Sequence, residues 1–314
     1  MKNKRLLFHN IFKTALLLAL SGYIAFLVET DALQLYIGVR IMPLVKASAL
    51  VVYALAVIQG FVAYRTYKGQ IVDCDCCEVP QTASRFGSGL LYALFLLPLV
   101  LGFTLPNTVL SGSLAEKKGM QFGSVQLGQA KAKAKAEASP ANAAPGASTA
   151  SGTMAQAEEP DLDRMFQADN DFDRDLAELA KKLYVLPVIE VKPEIYMEIL
   201  SSIITFADPF MGKEIEITGF VYREPDLADN QFVIGRIAVQ CCTADASPYG
   251  VLAESGEAAA FKDDTWVKVK GTLGHTEYNG NTIIKIDVQE IEVMEAPGNP
   301  YIYPNFEFLN VSLP

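Results

Sequence analysis

The sequence predicts an α-helical transmembrane region of three spans, followed by a mostly-β, OB-like small barrel domain with helices before it. Three observations carry this reading. Residues 1–110 are almost uniformly apolar and contain three runs of membrane length. Residues 129–152 are mostly Ala, Lys, Ser, Pro and Gly, a composition that cannot bury a core. Beyond Gly212 the apolar residues recur at every second position, the period of a strand with one buried face.

The spans are read at 11–28, 43–63 and 87–105, each close to the roughly 20 apolar residues that cross a hydrocarbon core. Lys13 interrupts the first, Lys46 the second and Pro98 the third, the proline reading as a tolerated kink. The first run follows Lys2, Lys4 and Arg5, as the core of a secretory signal would. No small-residue cleavage site follows it cleanly, and two more runs come after, so it reads as a span. Lys and Arg gather at the N-terminus and in the second loop, with Arg65, Lys68 and Arg85, while the first loop, 29–40, has two acids and one Arg. Positive charge stays inside. The expected topology is therefore a multi-pass cell-membrane protein with a cytoplasmic N-terminus and an extracytoplasmic C-terminal domain.

Residues 111–160 read as a disordered linker. A helical segment is expected over 161–206. Leu162, Met165, Phe166, Phe172, Leu176, Leu179 and Leu183 carry helical spacing behind an Asp161 cap, and Pro193 opens a second helix with Ile195, Ile199 and Ile203 on one stripe. The β domain occupies 207–314, including a C-terminal tail. Its strands are expected at 213–224, 231–240, 249–253, 265–274 and 282–294. Asn279-Gly280 signals a tight hairpin between the last two. Ile284, Ile286 and Val288 lie in register, but Ile291 and Val293 are displaced by one, the mark of a β-bulge. Five short strands with glycines at the bends suggest the OB type, with another small β-sandwich as the alternative.

The formal net charge is −10, and most of the acidic residues lie in the second half of the chain, where acidic surface repels phosphate backbones, so no nucleic-acid partner is expected. The five cysteines form two tight clusters rather than a spread disulfide framework. Cys241 and Cys242 stand at a strand end with Asp245 three residues on, and the turn-forming string 243–248 could let both sulfurs face one ion. Thiolates favour soft or borderline ions such as Zn²⁺ or Cu⁺. Against this stands the plainer reading that one cysteine packs in the core and the other is incidental. Cys74, Cys76 and Cys77 lie among three carboxylates on the second loop and suit metal handling, with a palmitoylated juxtamembrane cluster as the alternative. His275, beside the hairpin, is a possible additional ligand. No nucleophile–base pair, phosphate loop or zinc-hydrolase helix is present, so no enzymatic activity is expected.

The strings FMGKEIEITGFVYRE (Phe210–Glu224) and FVIGRIAVQCCTADASPYGV (Phe232–Val251), with the NPYIYP tail, resemble the YcgQ-type family of bacterial membrane permease subunits. The matching positions are Gly219, Phe220, Arg223, Arg236, Cys241, Cys242, Asp245 and Pro248. The resemblance implies a partnership with a YcgR-type multi-span permease in the lipid bilayer. It also implies transport or homeostasis of a thiophilic metal, since some members are linked to zinc limitation. Relatives often carry a histidine-rich tract where this chain has CDCC, and the Ala/Lys linker looks like an addition. Two other functions remain open: a docking subunit with no ligand of its own, and an extracytoplasmic thiol redox or stress sensor.

Overall fold

A computed structural model describes residues 2–69, 85–105, 110–122, 161–168 and 170–313. The chain divides into two compact units, Met1–Val109 with Cys241–Thr243, and Leu110–Gln240 with Ala244–Pro314.

The first unit is built on three helices, α1 (Lys2–Glu29), α2 (Met42–Tyr67) and α3 (Arg85–Thr104). Two of them, over Leu6–Glu29 and Met42–Tyr67, are long and apolar enough to cross a membrane. In α3 the apolar stretch Tyr92–Thr104 is shorter and contains Pro98, so three spans are not established by length alone. α1 and α2 run antiparallel. Asn10 Nδ2 donates to Thr66 Oγ1 (3.2 Å) at one end, and Ser21 Oγ to the Ala49 carbonyl (3.1 Å) at the other. Ala49, Ala56 and Ala63 are buried at heptad spacing on α2, where small side chains allow helix backbones to approach. α3 runs parallel to α1: Tyr92 packs on Phe12 at 4.6 Å between ring centroids, and Phe103 on Tyr23 at 4.8 Å.

The second unit is a mixed sheet with helices packed on it. Its strands are β1 (Gln121–Phe122), β2 (Val188–Glu190), β3 (Glu214–Tyr222), β4 (Gln231–Ala238), β5 (Ser247–Glu254), β6 (Trp266–Tyr278), β7 (Asn281–Val293) and β8 (Tyr301–Ile302). Pairings run in a circuit: β3 to β4 and β4 to β5 antiparallel, β5 to β7 parallel, then β7 to β6 and β6 back to β3 antiparallel. Strand β4 is buried on both faces from Phe232 to Ala238, so its apolar pattern is continuous rather than alternating. The strands draw close at Gly219: a Cβ there would stand 2.5 Å from the Gly235 carbonyl oxygen. The hairpin is made by Asn279 (φ 51°) and Gly280 (φ 74°), the two left-handed positions of a type I′ turn. Lys270 pairs with Glu290 and Gly271 with Val288, so Gln289 is the extra residue of the bulge that the displaced apolar register signals.

Helix α4 (Gly112–Lys118), then α5 (Asp171–Tyr184) and α6 (Tyr196–Thr205), belong to this unit. Ser202 Oγ on α6 donates to the Leu176 carbonyl of α5, and Leu179, Leu183, Ile199 and Ile203 enter one core with Ile215, Ile217 and Val269 of the sheet. Two expectations need correction. Residues 112–122 are helix and strand, not linker. Gly112 N–H donates to Asp264 Oδ1 (2.7 Å), and β1 lies parallel to β5, with Gln121 opposite Tyr249. The rest of the expected linker, 123–160, lies outside the described residues. The helix expected from Asp161 to Leu183 is interrupted. Asp161 caps one turn, Leu162–Met165, and Asn170 caps α5 by accepting from Asp173 N–H (2.9 Å). Pro193 opens a short 3₁₀ turn, Pro193–Ile195, ahead of α6. Residues 188–190, inside the expected helical segment, form a strand parallel to β3.

Candidate functional site

The site grows from the end of β4. Ala238 closes the strand, and the chain turns through a 3₁₀ helix, Thr243–Asp245, into β5. A strand would send adjacent side chains to opposite faces. The turn instead brings Cys241 Sγ and Cys242 Sγ to 3.8 Å, with neither in a disulfide. Asp245 Oδ1 accepts from Gln240 N–H (2.9 Å), which fixes the carboxylate across the mouth of the turn. One ligand atom from each of Cys241, Cys242 and Asp245 lies within 4.8 Å of the others. Cys241 is exposed and Cys242 half-buried, so an ion could reach them. Two thiolates at about 2.3 Å from a tetrahedral zinc stand about 3.8 Å apart, which is the separation here. A thiol-to-thiol hydrogen bond also fits that distance, so the geometry suits a metal without requiring one.

The other expected positions fall into three groups. His275 lies on β6 opposite Ile284, its Nε2 3.8 Å from Asp208 Oδ1, and it does not join the cysteine cluster. Cys74, Cys76 and Cys77 lie outside the described residues. The motif positions are structural. Gly219 makes the close approach to β4, Phe220 is buried edge-on to Trp266, and Pro248 is buried in β5 opposite Ile237. Arg223 ties down the loop before β6, donating to Asp263 Oδ1 (2.7 Å) and to the Phe261 carbonyl (2.7 Å).

Arg236 is the unexpected member. It is 2% exposed on β4, with its guanidinium carbon 5.0 Å from the Trp266 ring centre and 5.7 Å from that of Tyr196. Its Nε has no hydrogen-bond partner among the described residues. Cation–π contact takes the place of a carboxylate. Burial lowers the guanidinium pKa, against the nearby Tyr196, while burial raises the Tyr196 phenol. Tyr249 is pushed up to about 12, again chiefly by burial. Glu198, on α6, was missed in the sequence. Burial raises its carboxyl above the ordinary range even though Oε1 accepts from Asn305 N–H (2.8 Å), and Oε2 is buried with no partner among the described residues. An acid placed on the stripe between Ile195, Ile199 and Ile203 was the available signal.

Residues 12–121 match the DUF1980 N-terminal domain and residues 166–304 the DUF1980 C-terminal domain. The chain belongs to the DUF1980 family. Within this family it is similar to UPF0703 protein YcgQ of Bacillus subtilis, 26% identical over 219 residues, 69% of each chain. It is likewise similar to a Streptococcus mutans protein named as a two-component membrane permease complex subunit. That match is 26% identical over 227 residues, 71% of this chain and 76% of the relative. The DUF1980 N-terminal match takes in Met42–Tyr67 and most of Leu6–Glu29, and the C-terminal match takes in the whole strand circuit and the cysteine turn. The family likeness read from the Gly219–Arg223 and Arg236–Pro248 strings is thus shown, and a membrane location goes with it.

Proposed function

We propose that this DUF1980 chain is the accessory subunit of a two-component permease for a thiophilic metal ion, and that the Cys241–Cys242–Asp245 turn is where the ion is held. The carrying observation is the convergence of two thiols and a carboxylate within 4.8 Å, in a chain whose S. mutans relative is named as a permease complex subunit. Two sulfurs and one oxygen leave a tetrahedral ion one ligand short, and an open position suits transfer. Zinc is the leading candidate as cargo, and the YcgR-type multi-span protein is the partner inferred from the family resemblance. The circuit through β3, β4, β5, β7 and β6 supports reading the second unit as an OB-type barrel. The three apolar runs support three spans, and the Lys/Arg bias supports a cytoplasmic N-terminus and an extracytoplasmic domain. We also infer a non-catalytic role with no nucleic-acid partner, from the absent catalytic motifs and the acidic charge.

The test is zinc and copper(I) titration of the full-length protein in detergent, against a Cys241→Ser/Cys242→Ser variant of unchanged stability. Wild type should bind one ion more tightly than the variant, with affinity falling as pH drops, because thiols must lose protons to bind. An impermeant thiol reagent should label Cys241 and Cys242 in intact cells. Equal binding by the two proteins, with permease function retained by the variant, would make the cysteines packing residues and leave a docking subunit.

A further inference from the structure

Between α1 and α3 lies a cavity of about 430 Å³ whose two ends differ in chemistry. Lys13, Gln59 and Tyr92 line one end, and the rest is walled by apolar side chains such as Leu16, Leu20 and Phe95. The ordering follows from the helix contacts. Gln59 Nε2 donates to Asn10 Oδ1 (3.3 Å), and Tyr92 hydrogen-bonds His9, so both sit level with the start of the α1 span. Phe103 meets Tyr23 at the other end. Lys13 is the telling residue. Neither α2 nor α3 contains an Asp or Glu, and the one acid of α1, Glu29, is its last residue. Among the described residues no acidic side chain pairs with Lys13.

A lysine seven residues inside a span is about 10 Å deep at 1.5 Å per residue, within snorkelling reach of the headgroup layer. A cation held there is costly unless an anion meets it. None of the three helices supplies that anion, and the adjoining cavity is apolar and elongated along the helices. We propose that this cavity binds an anionic membrane lipid, its phosphate on Lys13 with Gln59 and Tyr92 donating beside it, and one acyl chain lying along Leu16, Leu20 and Phe95. Charge complementarity selects the headgroup, and the apolar wall selects a chain-bearing ligand over free phosphate.

The experiment is native mass spectrometry of the full-length protein in nonionic detergent, titrated with phosphatidylglycerol, phosphatidylcholine or inorganic phosphate. Wild type should retain phosphatidylglycerol over phosphatidylcholine by roughly fivefold, the scale of one lysine at a membrane surface, and should not retain phosphate. Lys13→Gln should bring that ratio to about one. Lys46→Gln, which removes an exposed cation of α2 outside the cavity, should leave it unchanged. Leu20→Trp, which fills the cavity and keeps Lys13, should lower retention of both lipids. A Lys13→Gln protein with wild-type preference, or a Lys46→Gln protein that loses it equally, would overturn the site. Retention unchanged in Leu20→Trp would reduce it to a surface charge and overturn it as well. Displacement of the lipid from wild type by a co-purified permease subunit would assign the cavity to a partner helix instead.

Discussion

Gly219→Ala should destabilise the β domain by about 1–2 kcal/mol, and the reason can be worked from one distance. A Cβ at Gly219 would meet the Gly235 carbonyl oxygen at 2.5 Å and the Ile234 Cγ2 at 2.9 Å. Ordinary contact begins at about 3.4 Å, so β3 and β4 would have to part by most of an ångström. The obstruction is main chain, which cannot rotate aside as a side chain can. Overpacking of this kind costs about 1–3 kcal/mol, offset by about 0.4–1 kcal/mol because alanine restricts the unfolded chain. Gly256→Ala is the control, since a Cβ there meets nothing within 4 Å, and it should be neutral or slightly stabilising. The assay is urea unfolding of the full-length protein in detergent, followed by tryptophan fluorescence. Trp266 is the sole tryptophan, and it pairs with Phe220, the neighbour of the substituted glycine. At an m-value of about 2 kcal/mol/M the midpoint should fall by about 0.5–1 M. Equal midpoints for the two variants would refute the close approach of β3 and β4.

The same fluorescence reports on three further changes. Glu198 has a raised folded-state pKa, so the folded protein holds its proton more tightly and stability falls as pH rises from about 4.5 through the folded value. Glu198→Gln should stabilise at neutral pH and flatten that slope, and an unchanged pH profile would contradict it. Arg236→Met should be neutral or stabilising because it removes a buried charge without a carboxylate, whereas Arg236→Ala should lose about 2–4 kcal/mol to a cavity. Equal losses in both would show that the charge itself is needed. A fragment beginning at residue 185 lacks Phe166, Leu179 and Leu183, each at most 2% exposed, and should unfold without a sharp transition, unlike one beginning at 110. A matching cooperative transition in the shorter fragment would show that these helices are dispensable.

Elements with a strong period or a compulsory turn were readable in the sequence. Asn279-Gly280 fixed the β6–β7 hairpin because both positions need positive φ, and the shift from Val288 to Ile291 located the bulge at Gln289. Two-residue strands carry no period, so β1 and β8 are defined only by their partners β5 and β4. Helix α4, GSLAEKK, reads as solvated linker because its interactions, such as Gly112 N–H with Asp264, are with residues far along the chain. Arg236 misleads for a related reason: a charged residue in a strand normally marks the solvent face, but β4 has none over its core residues. The Cys241–Cys242–Asp245 turn was legible because its geometry is local. His275 was not, because strand register alone decides what it neighbours.

The pairing of β1 with β5 changes what the low-complexity stretch 123–160 can be for. Both of its flanks, Phe122 and Leu162, belong to the same compact unit, so it is an excursion from one domain and back rather than a leash between two. Shortening, tagging or replacing it at the bench therefore leaves the covalent path from the first unit to the second unchanged.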